Sequence, residues 1–379
     1  MRPFTGDSEA TMPRVLHILN ELRPSGAETM LRAAAGYWRG QGIESAILIT
    51  GETRGDYAEA LANAGYRLHH LPFRRSVGYL ARVYRFFKSH DCEGIHIHCE
   101  RANFWFALLA YCAGRRRIVR SVHSLFRFSG LLRARRFAQR FVLRALFGVR
   151  TIAVSPAVQR LERDVFANPA LSIPNWFDAD RFRPPTEPER EAARRRWGIP
   201  AGAIAITTVG NCAPVKNHAA VIGALASLPD CFLYLHAGCE DEGRSERLLA
   251  AGLGVADRVR LLGAVDDVEA VLQAADLFVM PSLYEGLGLA AVEALAAGLP
   301  AVLADVEGLR DLRAIAPECE WIRPGSDEIA AAVLRVAKRS RAERAGLGAL
   351  LSARVHCEFS VRQGARQYAA LYEGRGAPA

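Results

Sequence analysis

Short β-branched runs alternate with helical stretches along almost the whole chain, and this rhythm limits the fold more than any other feature. In the first half the runs are "RVLHILN" (14–20), "SAILIT" (45–50), "RLHHLPF" (67–73), "GIHIH" (94–98), "RIVRSVH" (117–123), "TIAVS" (151–155) and "LSIPN" (171–175). Strands joined by helical crossovers pair in parallel, with right-handed connections. A proline-rich, charged stretch, "RFRPPTEPEREAARRRWGIPAG", interrupts from about 181 to 202 and marks a domain boundary. The rhythm restarts with "AIAITTVG" (203–210), "CFLYLHAG" (231–238), "VRLLG" (259–263), "LFVMP" (277–281) and "PAVLAD" (300–305). The expectation is an α/β chain of two doubly wound Rossmann-like domains facing a central cleft. Residues 1–182 form the first domain and 183–355 the second, while 356–379 supply a C-terminal helix that crosses back to the first. In open parallel sheets ligands bind beyond the carboxyl ends of the strands, and both domains should turn those ends to the cleft.

A length of 379 residues, half of them apolar, suits two such cores. The eight cysteines show no C-x-x-C spacing, so neither a zinc site nor a disulfide framework is indicated. They read as reduced, mostly buried thiols of a cytosolic protein. The leader "MRPFTGDSEATM" has no apolar core and does not read as a signal peptide; residues 1–12 read as a disordered leader, with Met12 as an alternative start. "FWFALLAYCAG" (104–114) is too short to span a bilayer. The localisation expected is cytoplasmic.

Charge is unevenly spread. Residues 1–185 hold 28 basic and 15 acidic side chains, and the remainder 21 and 25. A basic half calls for an anionic partner. Nucleic acid is not favoured, because no helix-turn-helix, zinc finger or aromatic RNA-binding signature accompanies the charge. An anionic membrane surface at the inner face, or a phosphate-bearing acceptor, fits better. Within "LRARRFAQRFVLRALF", Arg133, Arg136, Arg140 and Arg144 share one helical face and Phe137 and Phe141 the opposite one. That pattern suits an acceptor or membrane surface, or else a scaffold helix that buries its phenylalanines and exposes its arginines.

The chemistry is concentrated in "PSLYEGLGLAAVEALAAGLP" (281–300). Its strand ends at Pro281, its turn holds Glu285 and Gly286, and its helix starts near Gly288. Free backbone N–H groups and the positive helix end then face the cleft as an anion site. Glu285 and Glu293 beside it suit sugar hydroxyls, which need fixed acceptors. The plainer alternative makes Glu285 a helix-start carboxylate and Glu293 a solvated residue. "VGNCAPVKNH" (209–218) places Lys216, one of only three lysines against 46 arginines, where it would neutralise phosphate. "RPSGAETM" (23–30) offers Ser25 and Gly26 at another helix start, and "RIVRSVHSL" brings His123 to a strand end, where a structural role is the alternative. Asp178-Ala-Asp180 mimics a metal-binding Asp-x-Asp but reads as a turn away from the diphosphate loops.

Taken together, these stretches resemble the retaining GT-B glycosyltransferases of family four, glycosyl transferases group 1. "EGLGLAAVEALAAGLP" is similar to that family's Glu-x7-Glu signature, "IPNWFDADRF" to its Asn-Gly-Val-Asp-like stretch, "SGAE" to its N-terminal Gly-Gly-Ala-Glu loop and "KNH" to its Lys-Asn-His phosphate loop. "KNH" and "VRSVHS" look most like the exopolysaccharide and O-antigen branch. The resemblance implies that Glu293 binds the donor ribose, Glu285 the donor sugar and Lys216 the diphosphate. Gly26 would lie beside the diphosphate and His123 near the anomeric centre, while Gly286, Leu287 and Gly288 supply backbone contacts. His123, Lys216 and Glu285 would be the catalytic set. Asn211 stands where the family usually has arginine, and Glu307, Arg310 and Asp311 where Gly, Pro and Glu are common. The donor would be a UDP- or GDP-sugar, with no cofactor and no metal. The rivals are a sugar-nucleotide epimerase or hydrolase of the same fold, and a non-catalytic nucleotide-sugar-binding protein.

Overall fold

A computed structural model describes residues 13–374, so the expected leader at 1–12 lies outside the described residues. Strands β1 (Arg14–Leu19), β2 (Glu44–Ile49), β3 (Arg67–His70), β4 (Gly94–Ile97), β5 (Arg117–Val122), β6 (Arg150–Ala153) and β7 (Leu171–Ser172) form one sheet, ordered 3-2-1-4-5-6-7. Strands β8 (Ile204–Val209), β9 (Phe232–Ala237), β10 (Val259–Leu261), β11 (Leu277–Met280), β12 (Ala301–Ala304) and β13 (Glu320–Ile322) form a second, ordered 10-9-8-11-12-13. Every named ladder is parallel. Helices cover both faces, so central strands such as β9 and β11 are buried at every position. This is the GT-B arrangement: two doubly wound, Rossmann-like domains facing a cleft.

The order of each sheet reverses beside its first strand, which opens a crevice at the carboxyl ends. Asn20 after β1, His98 after β4, His123 after β5 and Asn175 after β7 line one wall of the cleft. Gly210 and Asn211 after β8 and the segment following β11 line the other.

The stretch expected only to interrupt the rhythm holds a helix of its own, Glu187–Arg196, started by a Thr186–Glu189 capping box. Arg190 and Arg194 of that helix both pair with Asp276 and so belong to the second sheet's layer. Near the other end, the helix Arg341–Glu358 packs on the second sheet's helix Leu289–Ala296; Ser352 Oγ donates to Ala296 O at 2.7 Å. The next helix, Val361–Tyr372, lies instead on Gly26–Gly40 of the first half, where Trp38 Nε1 donates to Ala365 O at 3.0 Å. The chain therefore passes between the halves twice.

Two expectations are corrected. The cysteines are free but not mostly buried: Cys112, Cys231, Cys239 and Cys357 are exposed, and only Cys92 and Cys319 are fully buried. The arginine helix, Gly130–Ala145, is turned the other way round. Arg140 is 3% exposed and bonds Glu162 through Nε at 2.9 Å, with Glu100 at 3.2 Å from Nη2. Arg136 is half-buried over the Phe128 ring, and Arg144 Nη1 donates to Ala167 O. Of the four arginines only Arg133 is fully exposed. The apolar face points to water instead, with Leu131 91%, Phe137 41%, Phe141 53% and Leu146 64% exposed. Periodicity sends an apolar face inward by default. Here two buried carboxylates outweigh that preference, because an unpaired buried charge costs more than an exposed phenylalanine.

Candidate active site

One cleft of about 530 Å³ gathers Gly26, His123, Asn211, Lys216, Glu285, Gly286, Leu287, Gly288 and Glu293 on its walls. All nine candidates for donor binding and catalysis share this hollow.

On the second-half wall, Lys216 closes the short 3-10 turn Pro214–Lys216 and its Nζ donates to Glu285 Oε1 at 2.7 Å. Ser282 Oγ donates to the same oxygen, also at 2.7 Å. Gly210, at φ +145°, lies alongside the lysine stem, where a Cβ would be in ordinary contact with Lys216 Cε at 3.5 Å. Gly288 starts the helix Leu289–Ala296 at φ +79°, where a Cβ would strike Leu309 Cδ2 at 2.3 Å. Asn211, in the place of the family's arginine, spends its Oδ1 on Cys239 N at 2.9 Å. It tethers a loop and adds no charge.

Glu293 lies on that helix, 7% exposed. Burial pushes its carboxyl up to about 8; Arg181 opposes the rise, and Glu269 and Asp178 add to it. The folded protein therefore holds a proton there that the unfolded chain sheds above its ordinary 4.5. With the folded value raised, stability is fully present below 4.5 and is lost as pH climbs through about 8. Glu293→Gln, which mimics the neutral acid, should stabilise the protein by about 4 kcal/mol at pH 8 and hardly at pH 4. Thermal unfolding at the two pH values checks this; an equal gain at both would sink it.

The first-half wall starts with the helix Gly26–Gly40, whose N-cap is Ser25. A Cβ added to Gly26 would stand 3.6 Å from Leu289 Cδ2 of the opposite wall, so the two helix starts nearly touch. Glu28, one turn in, is buried and bonded by the Ser25 hydroxyl. Burial raises its carboxyl to about 7, and the Ser25 bond opposes this. Sequence reasoning passed over Glu28, His98 and Asn175, which all line the cleft. Glu28 and Asn175 stand inside the quoted "SGAE" and "IPNW" stretches, which was the signal available. His123 is kept neutral, its imidazole lowered to about 4 by burial.

Several contacts hold the walls together. A Cβ on Gly286 would meet His123 O at 2.2 Å, so only glycine permits this approach of the halves. Ser155 Oγ donates to Gly286 O across the same seam. Asp311 accepts from Ala157 N at 2.6 Å and from Arg160 at 2.8 Å, capping the helix Pro156–Phe166 of the first half. Glu307 pairs with Arg127. Two of the departures from the family pattern thus serve as ties between domains. The Asp178-Ala-Asp180 stretch is a turn, with Asp178 Oδ1 accepting from Asp180 N at 3.2 Å. It is not remote from the site, however, because Asp178 lines the cleft.

Among the described residues, His17, His96 and His98 are a trio close enough to hold a metal. His96 spends both ring nitrogens on Tyr372 OH (2.7 Å) and Ser121 Oγ (2.8 Å), and His17 and His98 bond each other. Hydrogen bonds engage every ring nitrogen of the trio but His17 Nε2.

Comparison with known proteins agrees with the geometry. Residues 24–181 match the model "Glycosyltransferase Family 4" and residues 189–346 match "Glycosyl transferases group 1". The chain is 28% identical to a putative glycosyltransferase, EpsF of Bacillus subtilis (strain 168), over 78% of its own length and 80% of that protein. It is 25% identical to a phosphatidyl-myo-inositol mannosyltransferase of Mycobacterium leprae (strain TN), over 76% of each. Anabaena Alr3699/HepE, solved in complex with UDP and glucose, superposes with a TM-score of 0.83 at 20% identity, over 96% of this chain and 100% of that one. With the two models covering both halves of the cleft, the chain belongs to the group 1, family 4 glycosyltransferases.

Proposed function

We propose that this glycosyltransferase moves a sugar from a nucleotide diphosphate sugar to an acceptor hydroxyl with retention at the anomeric carbon. The observation that carries the reading is the shared cleft, in which Lys216 and Glu285 are in contact and Glu293 lies on the adjoining helix. Glu293 faces the ribose and Glu285 the transferred sugar. Lys216 exchanges part of its bond to Glu285 for the diphosphate, aided by the free N–H groups opening the helix Leu289–Ala296. Charge grows on the leaving phosphate while the acceptor hydroxyl attacks from the same face, so fixed donors there lower the barrier. Alr3699/HepE, described with UDP and glucose, lends support to a UDP-sugar donor.

Release of nucleotide from UDP- and GDP-sugars, with and without acceptor, tests the transfer, and NMR of the product linkage tests the stereochemistry. Release that needs no acceptor would mark a hydrolase or epimerase. An inverted linkage would end the retaining assignment.

The acceptor-side partner we assign is an anionic lipid surface. Leu131, Phe137, Phe141 and Leu146 form an exposed apolar strip on one helix and its end, with exposed Arg133 and Arg135 beside it. Apolar insertion flanked by arginine matches the interface of an anionic bilayer. The protein should sediment with phosphatidylglycerol vesicles and not with phosphatidylcholine vesicles, and Phe141→Asp should weaken this binding about tenfold. Equal sedimentation of variant and wild type would overturn the assignment.

A further inference from the structure

His123 heads a file of three neutral imidazoles, with His98 and His17 behind it. The parallel ladder sets His17 of β1 opposite His96 of β4, and the next strand, β5, leads into His123. His17 Nδ1 lies 3.1 Å from His98 Nε2, and His98 Nδ1 lies 3.1 Å from His123 Nε2. At the cleft end, Asn175 Nδ2 approaches His123 Nδ1 at 3.4 Å. At the far end, His17 Nε2 is buried without a hydrogen-bond partner, among the rings of Trp38, Tyr66 and Tyr372. Burial lowers all three imidazoles, His17 to about 3 and His123 to about 4.

A neutral imidazole has one N–H and one lone pair. Three of them linked nitrogen to nitrogen must all point the same way, because one reversed ring would set lone pair against lone pair. Only two proton arrangements are self-consistent, and the cleft end distinguishes them. The Asn175 Nδ2 amine can only donate, so its approach to His123 Nδ1 at 3.4 Å calls for a lone pair there.

We propose that His98 and His17 are positioning residues that fix His123 as the tautomer with hydrogen on Nε2, so that its Nδ1 lone pair faces the cleft wall, where a hydroxyl can donate to it in place of the long Asn175 contact. His123 donates to His98, His98 donates to His17, and neither His98 nor His17 touches the reacting atoms. The mechanistic consequence rests on the function proposed above, whereas the tautomer itself does not.

The test is nitrogen-15 NMR of histidine-labelled full-length protein, read alongside donor kinetics. Wild type should show His123 protonated on Nε2 alone. His98→Phe removes the acceptor, so His123 should change tautomer and kcat should fall about tenfold or more, the scale on which losing an imidazole's partner is felt, with donor KM little changed. His98→Gln presents one acceptor and one donor and should restore both readouts. His17→Phe does not touch His123 yet should also alter its tautomer, which no packing role explains. An unchanged His123 tautomer in His17→Phe and His98→Phe overturns the proposal, as does an equal loss of kcat in His98→Gln and His98→Phe. Without measurable transferase activity the NMR arms still decide the tautomer, so failure of the functional reading remains separate.

Discussion

Lys216→Ala should leave a folded protein whose turnover with nucleotide sugar is reduced on the order of a hundredfold or more. The side chain is part-exposed in the cleft, and its Nζ donates to Glu285. Removing it therefore opens no core cavity. What it removes is the lysine cation of the wall: Asn211 stands where the family's arginine would stand and is committed to Cys239 N. Arg181 also lines the cleft but already forks onto Glu269, and Arg32 lies over the Tyr57 ring. On the proposed function, Asn211 brings no charge to the phosphate, and Lys216 would carry more of the leaving-group stabilisation than a lysine working beside an arginine. The loss should fall on kcat and kcat/KM together, because the interaction strengthens as phosphate charge develops. Single-turnover kinetics at saturating donor measures it. Wild-type kcat in the variant would remove Lys216 from the catalytic set. Asn211→Arg is a natural companion: partial recovery in the double variant would identify the missing charge as the cause.

A larger effect, on stability this time, is expected from Glu162→Ala. Glu162 is fully buried and accepts from Arg140 Nε at 2.9 Å, Asn168 Nδ2 at 2.8 Å and Arg120 Nη1 at 3.4 Å. Burial alone would raise its carboxyl, but Arg120 and Arg140 outweigh that and hold it below the usual range. Glu100 completes a square of two acids and two arginines, with Arg120 only 2% exposed. Deleting one acid strands buried guanidinium charge, which costs about 3–5 kcal/mol, a large share of a domain's whole stability. Replacing all four members by apolar residues of similar volume should be milder than the single deletion. Denaturant midpoints for the two variants compare them, and a single deletion that is the gentler of the pair would contradict this reading.

This square also shows where the sequence ceased to be readable. Parallel strands with helical crossovers were visible because buried β-branched runs are local signals, and the observed strands fall within about two or three residues of those runs at most ends. β13 went unseen because three residues, Glu-Trp-Ile, carry too short a pattern. The outward turn of the helix Gly130–Ala145 was hidden for a different reason. Its own heptads favour phenylalanine inside, and the acids that reverse the choice sit on other elements, at Glu100 and Glu162. Lys216, Glu285 and Glu293 could be found because they lie in two short strand-to-helix stretches, 209–218 and 281–300, each legible without long-range contacts. His17 and His98 could not, since their meeting with His123 depends on the register of three neighbouring strands.

The double passage of the chain between its halves has a mechanical consequence. One covalent bridge lies ahead of the helix Glu187–Arg196, and the other falls between Glu358 and Val361. A body suspended at two points loses the freedom to swivel and keeps a single bending axis, the line through both attachments. Opening to admit a bulky molecule would then be a door-like swing, and severing the polypeptide near Ser360 would turn that door into a loose tether.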